Sequence, residues 1–133
     1  AAAAQGRVVI GKNVCLDIMP AVVFTDPECA SVGITSEKAD ESGREYITVK
    51  LPYGSNGKAL ASGESDGIVK LIIDKENGLI AGCHCVGAHA ADLIAEACTA
   101  MNAGFTAERL ASECVHAHPT LSELLASAAA IAR

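Results

Sequence analysis

"IVKLIIDKENGLIAGCHCVG", residues 68–87, decides the fold. Its halves, 68–74 and 79–87, are apolar runs rich in β-branched residues, separated by Lys75-Glu76-Asn77-Gly78. The Asn-Gly pair predicts a hairpin, because both residues tolerate the positive φ that tight turns require. Just upstream, "EYITVKL" (45–51) alternates Ile47, Val49 and Leu51 with Tyr46, Thr48 and Lys50, the period of a strand with one buried face. "AVVFT" (21–25) and "CASVGI" (29–34) are shorter β-type runs split by Asp26-Pro27-Glu28, where proline interrupts a ladder. "TSEKADESG" (35–43) predicts a short surface helix with Thr35 or Ser36 as N-cap and Gly43 as its stop. "PYGSNGKALASGESDG" (52–67) reads as a polar, Gly-rich loop.

Beyond the hairpin the period changes from two to three or four. In "AADLIAEACTAMNAG" (90–104), Leu93, Ala97 and Met101 recur every fourth residue, Ile94 and Cys98 widen the stripe, and Gly104 stops the helix. "TAERLAS" adds a short helix capped by Thr106, and "LLASAAAIAR" a final one. The order is β-β-α-β-β-β-α-α-extended-α, which predicts an α+β fold: an antiparallel β-sheet with helices packed on one face. Residues 1–14 read as the end of a helix left from a preceding domain, so the folded domain is expected over 15–133. The helix at 90–103 and the C-terminal run look too apolar for a lone domain to hide, and a two-fold dimer is expected.

The 133 residues suffice for one domain. Half are hydrophobic, yet there are two Phe, two Tyr and no Trp, so Ala, Val, Ile and Leu must build the core. A net charge of −6, with ten scattered Lys and Arg, argues against nucleic acid. No run approaches the roughly 18 apolar residues of a spanning helix, and the first residues lack the pattern of a signal peptide, so no membrane contact and a cytoplasmic setting are expected. The six cysteines sit in apolar surroundings, which favours reduced, buried thiols over a disulfide framework. Cys83-His84-Cys85 and the Cys114–His118 run lack zinc-ligand spacing, and an extended chain puts Cys83 and Cys85 on one face and His84 on the other, so no metal site is expected.

Chemistry concentrates in "CVHAHPTLSE" (114–123). Thr120-Leu121-Ser122-Glu123 fits a capping box, in which the Thr hydroxyl takes the N3 amide and Glu123 returns to the Thr amide. The same glutamate is also within reach of His118, five residues earlier. There it would fix the imidazole tautomer and raise its basicity, leaving the other ring nitrogen as a general base. The two readings compete for the same carboxylate oxygens. His116 is expected to face away from His118 and to be structural.

"HAHPTLSE" resembles the C-terminal signature of the flavin-dependent pyridine nucleotide-disulfide oxidoreductases, and its Leu-Ser-Glu form is most similar to the dihydrolipoyl dehydrogenases among them. "MPAVVFTDPECASVGIT" and "SNGKALASGESDGIVKLIIDKENGLIAGCHCVGAHAADLI" resemble the interface (dimerisation) domain of that family, in the same order, and "AAAAQGRVVIG" resembles the last helix of the flavin domain before it. The resemblance implies FAD and NAD in a full-length homodimer that serves a dihydrolipoyl-carrying acyltransferase complex. It also implies that His118 is the catalytic base for dithiol–disulfide exchange in the partner subunit, oriented by Glu123. Neither Cys-x₄-Cys nor Gly-x-Gly-x-x-Gly occurs here, so this chain alone is expected to bind no cofactor and to be inactive. A mercuric or glutathione reductase-like interface domain is the nearest alternative, the former disfavoured by the lack of a C-terminal Cys-Cys pair. A stand-alone dimerisation module without chemistry is the other.

Overall fold

The computed structural model describes residues 15–132, and the helix expected within 1–14 lies outside them. Five strands, β1 (Ala21–Val23), β2 (Glu28–Gly33), β3 (Tyr46–Pro52), β4 (Gly67–Asp74) and β5 (Ile80–Gly87), form one sheet in the order β1-β2-β5-β4-β3. Every neighbouring pair is antiparallel. The β4–β5 hairpin is thus the centre of the sheet, and it buries Val69, Leu71, Ile73, Cys83 and Cys85. Five α-helices, α1 (Ser36–Glu41), α2 (Gly57–Ser62), α3 (Ala90–Asn102), α4 (Ala107–Ser112) and α5 (Glu123–Ile131), and two short 3-10 turns at Leu16–Ile18 and Tyr53–Ser55 complete the described chain. Helix α3 lies over β2 and β5, and α5 lies over β3 and β4, closing one core of small aliphatic side chains. Near α1 the contact comes from the other side of β4. Lys70, between two core-facing neighbours, donates from Nζ to Ser36 Oγ at 3.0 Å. No helix among the described residues is long and apolar enough to cross a membrane.

Three details differ from expectation. The stretch 52–67 is no bare loop. Asn56 Oδ1 caps α2 by accepting from the Lys58 and Ala59 amides, both at 3.0 Å, and Gly63 at φ 72° closes that helix. Ahead of it Tyr53 is fully buried, its ring lying against Gly87 and its hydroxyl donating to the Ala88 carbonyl at 3.1 Å. The β4–β5 turn does not use two positive-φ residues either. Gly78 has φ 72°, whereas Asn77 stays in the ordinary region and its side chain accepts from the Leu79 amide. Buried Asp74 holds the tip by accepting from the Glu76 amide and the Asn77 side chain and by pairing with Arg44.

The third difference concerns the apolar surface. Leu93, Ile94, Ala97, Ala100 and Met101 of α3, and Leu124, Leu125, Ala128 and Ala129 of α5, are spent inside the chain's own core. Apart from Ile131 at the end of α5, the most exposed large apolar side chains lie outside these two helices: Leu16, Met19, Val23, Phe24, Leu60 and Val115, with Val115 at 99%.

Candidate functional site

Between α4 and α5 the chain runs extended from Cys114 and bends at His118 and Pro119, whose peptide bond is cis. The bend sends His116 and His118 in different directions. His116 turns inward, 12% exposed, and its Nε2 meets Glu96 Oε1 of α3 at 2.6 Å. His118 turns outward, 78% exposed, and its Nδ1 lies 2.9 Å from Glu123 Oε1. A carboxylate only accepts, so Nδ1 carries the proton, and in the neutral ring Nε2 is the nitrogen left with a lone pair, on the exposed side chain.

Glu123 does two jobs at once. Its Oε2 accepts the Thr120 N–H at 2.8 Å while Oε1 faces His118, so the cap and the histidine pair share one carboxylate without competing. Only half of the expected capping box forms, since the Thr120 hydroxyl donates back to the Ala117 carbonyl at 2.7 Å and Ser122, at the N-cap position, makes no side-chain cap. The Thr120 amide, and after it His118, hold the Glu123 carboxyl below its usual range.

Thr120 is fixed in turn by Asn56. The amide that caps α2 through Oδ1 uses Nδ2 to donate to the Thr120 carbonyl at 3.0 Å. A continuous path therefore leads from α2 through Asn56, Thr120 and Glu123 to the imidazole. Local sequence pattern marks neither Asn56 nor Glu96 for this role. Asn56 lies in a stretch that reads as loop, and Glu96 resembles any polar position on an amphipathic helix.

The remaining singled-out residues play other parts. Cys83 and Cys85 point together into the core, their Sγ atoms 3.8 Å apart, while His84 faces the other way and meets the Ile34 carbonyl at 2.9 Å. Its hydrogen bond with Cys85, and then burial, push the Cys83 thiol well up, away from thiolate character. His89, at φ 56°, stands at the start of α3 with Asp92 at 3.6 Å, and Glu28 Oε2 caps that helix through the Ala91 amide at 2.9 Å.

The profile of the pyridine nucleotide-disulphide oxidoreductase dimerisation domain matches residues 19–129. The chain belongs to this family. Among its dimerisation-domain relatives, the dihydrolipoyl dehydrogenase of Geobacillus stearothermophilus is 48% identical over 86% of the chain, and that of Bacillus subtilis is 47% identical over the same share. Each match covers 24% of the relative, so the chain spans about a quarter of the length of these relatives. Dimerisation domains of solved disulfide reductases have the same fold. LpdA from Mycobacterium tuberculosis superposes with a TM-score of 0.83 at 29% identity, covering 98% of this chain and 28% of that one. The copper(II) complex of the HOCl-induced flavoprotein disulfide reductase RclA from Escherichia coli gives 0.83 at 26% identity, covering 88% and 26%.

Proposed function

We propose that this dimerisation domain belongs to a dihydrolipoyl dehydrogenase, in which His118 is the general base of dithiol–disulfide exchange at the partner subunit's site. The observation that carries the reading is the His118 ring itself, with Nδ1 tied to Glu123 and Nε2 open on an exposed edge. A dihydrolipoyl thiol placed at Nε2 gives up its proton there, and the resulting thiolate is the species that attacks a disulfide sulfur. The imidazolium so formed is stabilised by the Glu123 carboxylate, which also keeps the ring from turning. The likeness to dihydrolipoyl dehydrogenases at 48% and 47% identity supports this substrate over a mercuric or glutathione-type one.

FAD and NAD would carry the electrons in the full-length homodimer. The residues described do not suit either as a binder: the sheet is antiparallel throughout, without the parallel βαβ crevice that holds dinucleotides. We therefore assign both cofactors, and the exchanging disulfide, to other parts of a longer protein. In that protein residues 15–133 form the interface domain, 1–14 close a flavin domain, and a dihydrolipoyl-carrying acyltransferase complex is the partner, in the cytoplasm.

His118→Gln in the full-length protein tests the base. Loss of a positioned general base lowers the rate of dihydrolipoamide oxidation by about 10²–10⁴-fold. An unchanged rate in a folded dimer would remove His118 from the chemistry and leave a purely dimerising domain.

A further inference from the structure

We propose that Glu96 is a positioning residue for His118, acting through His116. The inference deepens the reading of His118 as a base and rests on it for its chemical consequence, while the geometric part stands alone.

Residues 114–120 make no backbone-to-backbone hydrogen bond with any described residue, so neither helix nor sheet fixes the path of the chain that carries His118. Side chains fix it instead, on both flanks. Two residues after His118, Asn56 holds the Thr120 carbonyl. Two residues before it, Glu96 holds the His116 ring at 2.6 Å, the shortest of the contacts along this segment, in a setting where the imidazole is 12% exposed. Two residues of extended chain span at most about 7 Å, so a ring pinned at 116 leaves the backbone at 118 little room to drift.

The anchor itself is stiff. Glu96 sits in the middle of the thirteen-residue α3, and its neighbours Leu93, Ile94, Ala97 and Ala100 are buried against the sheet. His118, by contrast, has one side-chain partner in Glu123 and is otherwise open. The backbone that presents this ring to Glu123 is therefore held by the two anchors beside it, and Glu96 supplies the one that reaches across from another layer of the fold. His116 is 12% exposed and spends its Nε2 on Glu96, so the pair is assigned a positioning role and not contact with substrate.

The test reads the His118 ring, in the full 133-residue chain, by ¹⁵N NMR of the imidazoles at alkaline pH. In the native chain Nδ1 carries the proton, held by Glu123. Glu96→Ala and His116→Ala are each expected to cause loss of that dominant Nδ1–H tautomer and of the His118–Glu123 contact, with the backbone amides of α3 unchanged. Glu96→Gln, whose amide oxygen still accepts from His116 Nε2–H, is expected to restore both. If Glu96→Ala does not fold, His116→Ala, which leaves α3 intact, carries the same expectation. A native His118 tautomer in a folded alanine variant overturns the proposal, and so does a Glu96→Gln spectrum that matches Glu96→Ala. Because the readout is not turnover, a failed activity test of His118→Gln would leave this result standing, and the converse holds.

Discussion

The Thr120 amide donates to Glu123 Oε2 over 2.8 Å, and this bond more than any other contact depresses the Glu123 carboxyl. A carboxylate whose folded value lies below its unfolded one stabilises the fold fully above the unfolded value, near 4.5, and loses that contribution as pH falls through the folded value. Glu123→Gln should therefore be less stable than the native chain at neutral pH, and the difference should shrink as pH drops below about 4.5. Gln has one acceptor and one NH₂ group, so it satisfies either the Thr120 amide or the His118 Nδ1–H but confronts the other donor with a donor. Urea unfolding of both proteins across that acid range is the measurement, and a gap independent of pH would contradict the account.

Gly87 lies under the Tyr53 ring, where an added Cβ would come within 2.6 Å of Cζ. Gly87→Ala forces the ring or the strand to move, and overpacking of this kind costs about 1–3 kcal/mol. Tyr53→Phe keeps the ring but leaves the Ala88 carbonyl without its donor, an expected loss of about 1–2 kcal/mol. Denaturant midpoints with unchanged slopes would record both.

Asn56 allows its two duties to be separated. Asn56→Asp keeps the acceptor that caps α2 but sets a carboxylate against the Thr120 carbonyl, whereas Asn56→Ala removes cap and donor together. The alanine variant should lose about 2–3 kcal/mol, the sum of a missing cap and an unpaired carbonyl. The aspartate variant should retain α2 by amide chemical shifts while the resonances of Thr120, Glu123 and His118 move. An Asp variant with an unperturbed 118–123 segment would show that Asn56 serves α2 alone.

Most of the architecture is written locally. Alternation in 45–51, two apolar runs around Asn77-Gly78, and the four-residue recurrence of Leu93, Ala97 and Met101 predict strands and a helix that the fold contains, because each pattern reports which side of an element meets the core. The His118–Glu123 contact is also legible, spanning only five residues. Contacts between distant segments are not. Asn56 reaches 64 residues to Thr120, Glu28 reaches 63 to cap α3, and His116 reaches 20 back to Glu96. No periodicity encodes such pairings, and helix α2 is hidden for a related reason: a six-residue helix that starts on Gly57 and stops at Gly63 is held by Asn56 and the buried Ala59 rather than by propensity.

Self-association should run through the apolar residues that the chain leaves outside. Val115 and Phe24 are the most exposed of the large hydrophobic side chains, and Val115 adjoins the segment that carries His118. Sedimentation at micromolar concentration is expected to show a dimer. Val115→Glu should weaken it by about tenfold or more, the loss typical of an apolar anchor at a protein interface. A monomer at high concentration, or a dimer indifferent to Val115→Glu and Phe24→Glu, would place the contact on another surface.

One carboxylate serving two partners has a consequence for inheritance. In a library of variants scored only for cellular abundance, position 118, exposed and contacting one neighbour, should tolerate many residues, whereas position 123 should not, because its side chain also holds the entry to the last helix. Scored for growth that depends on the proposed activity, both positions should become restricted. If His118 has the role proposed for it, it is free to drift whenever selection on activity lapses, while Glu123 is retained by folding. A lineage that lost the reaction would keep Glu123 as a vestige beside a histidine already replaced.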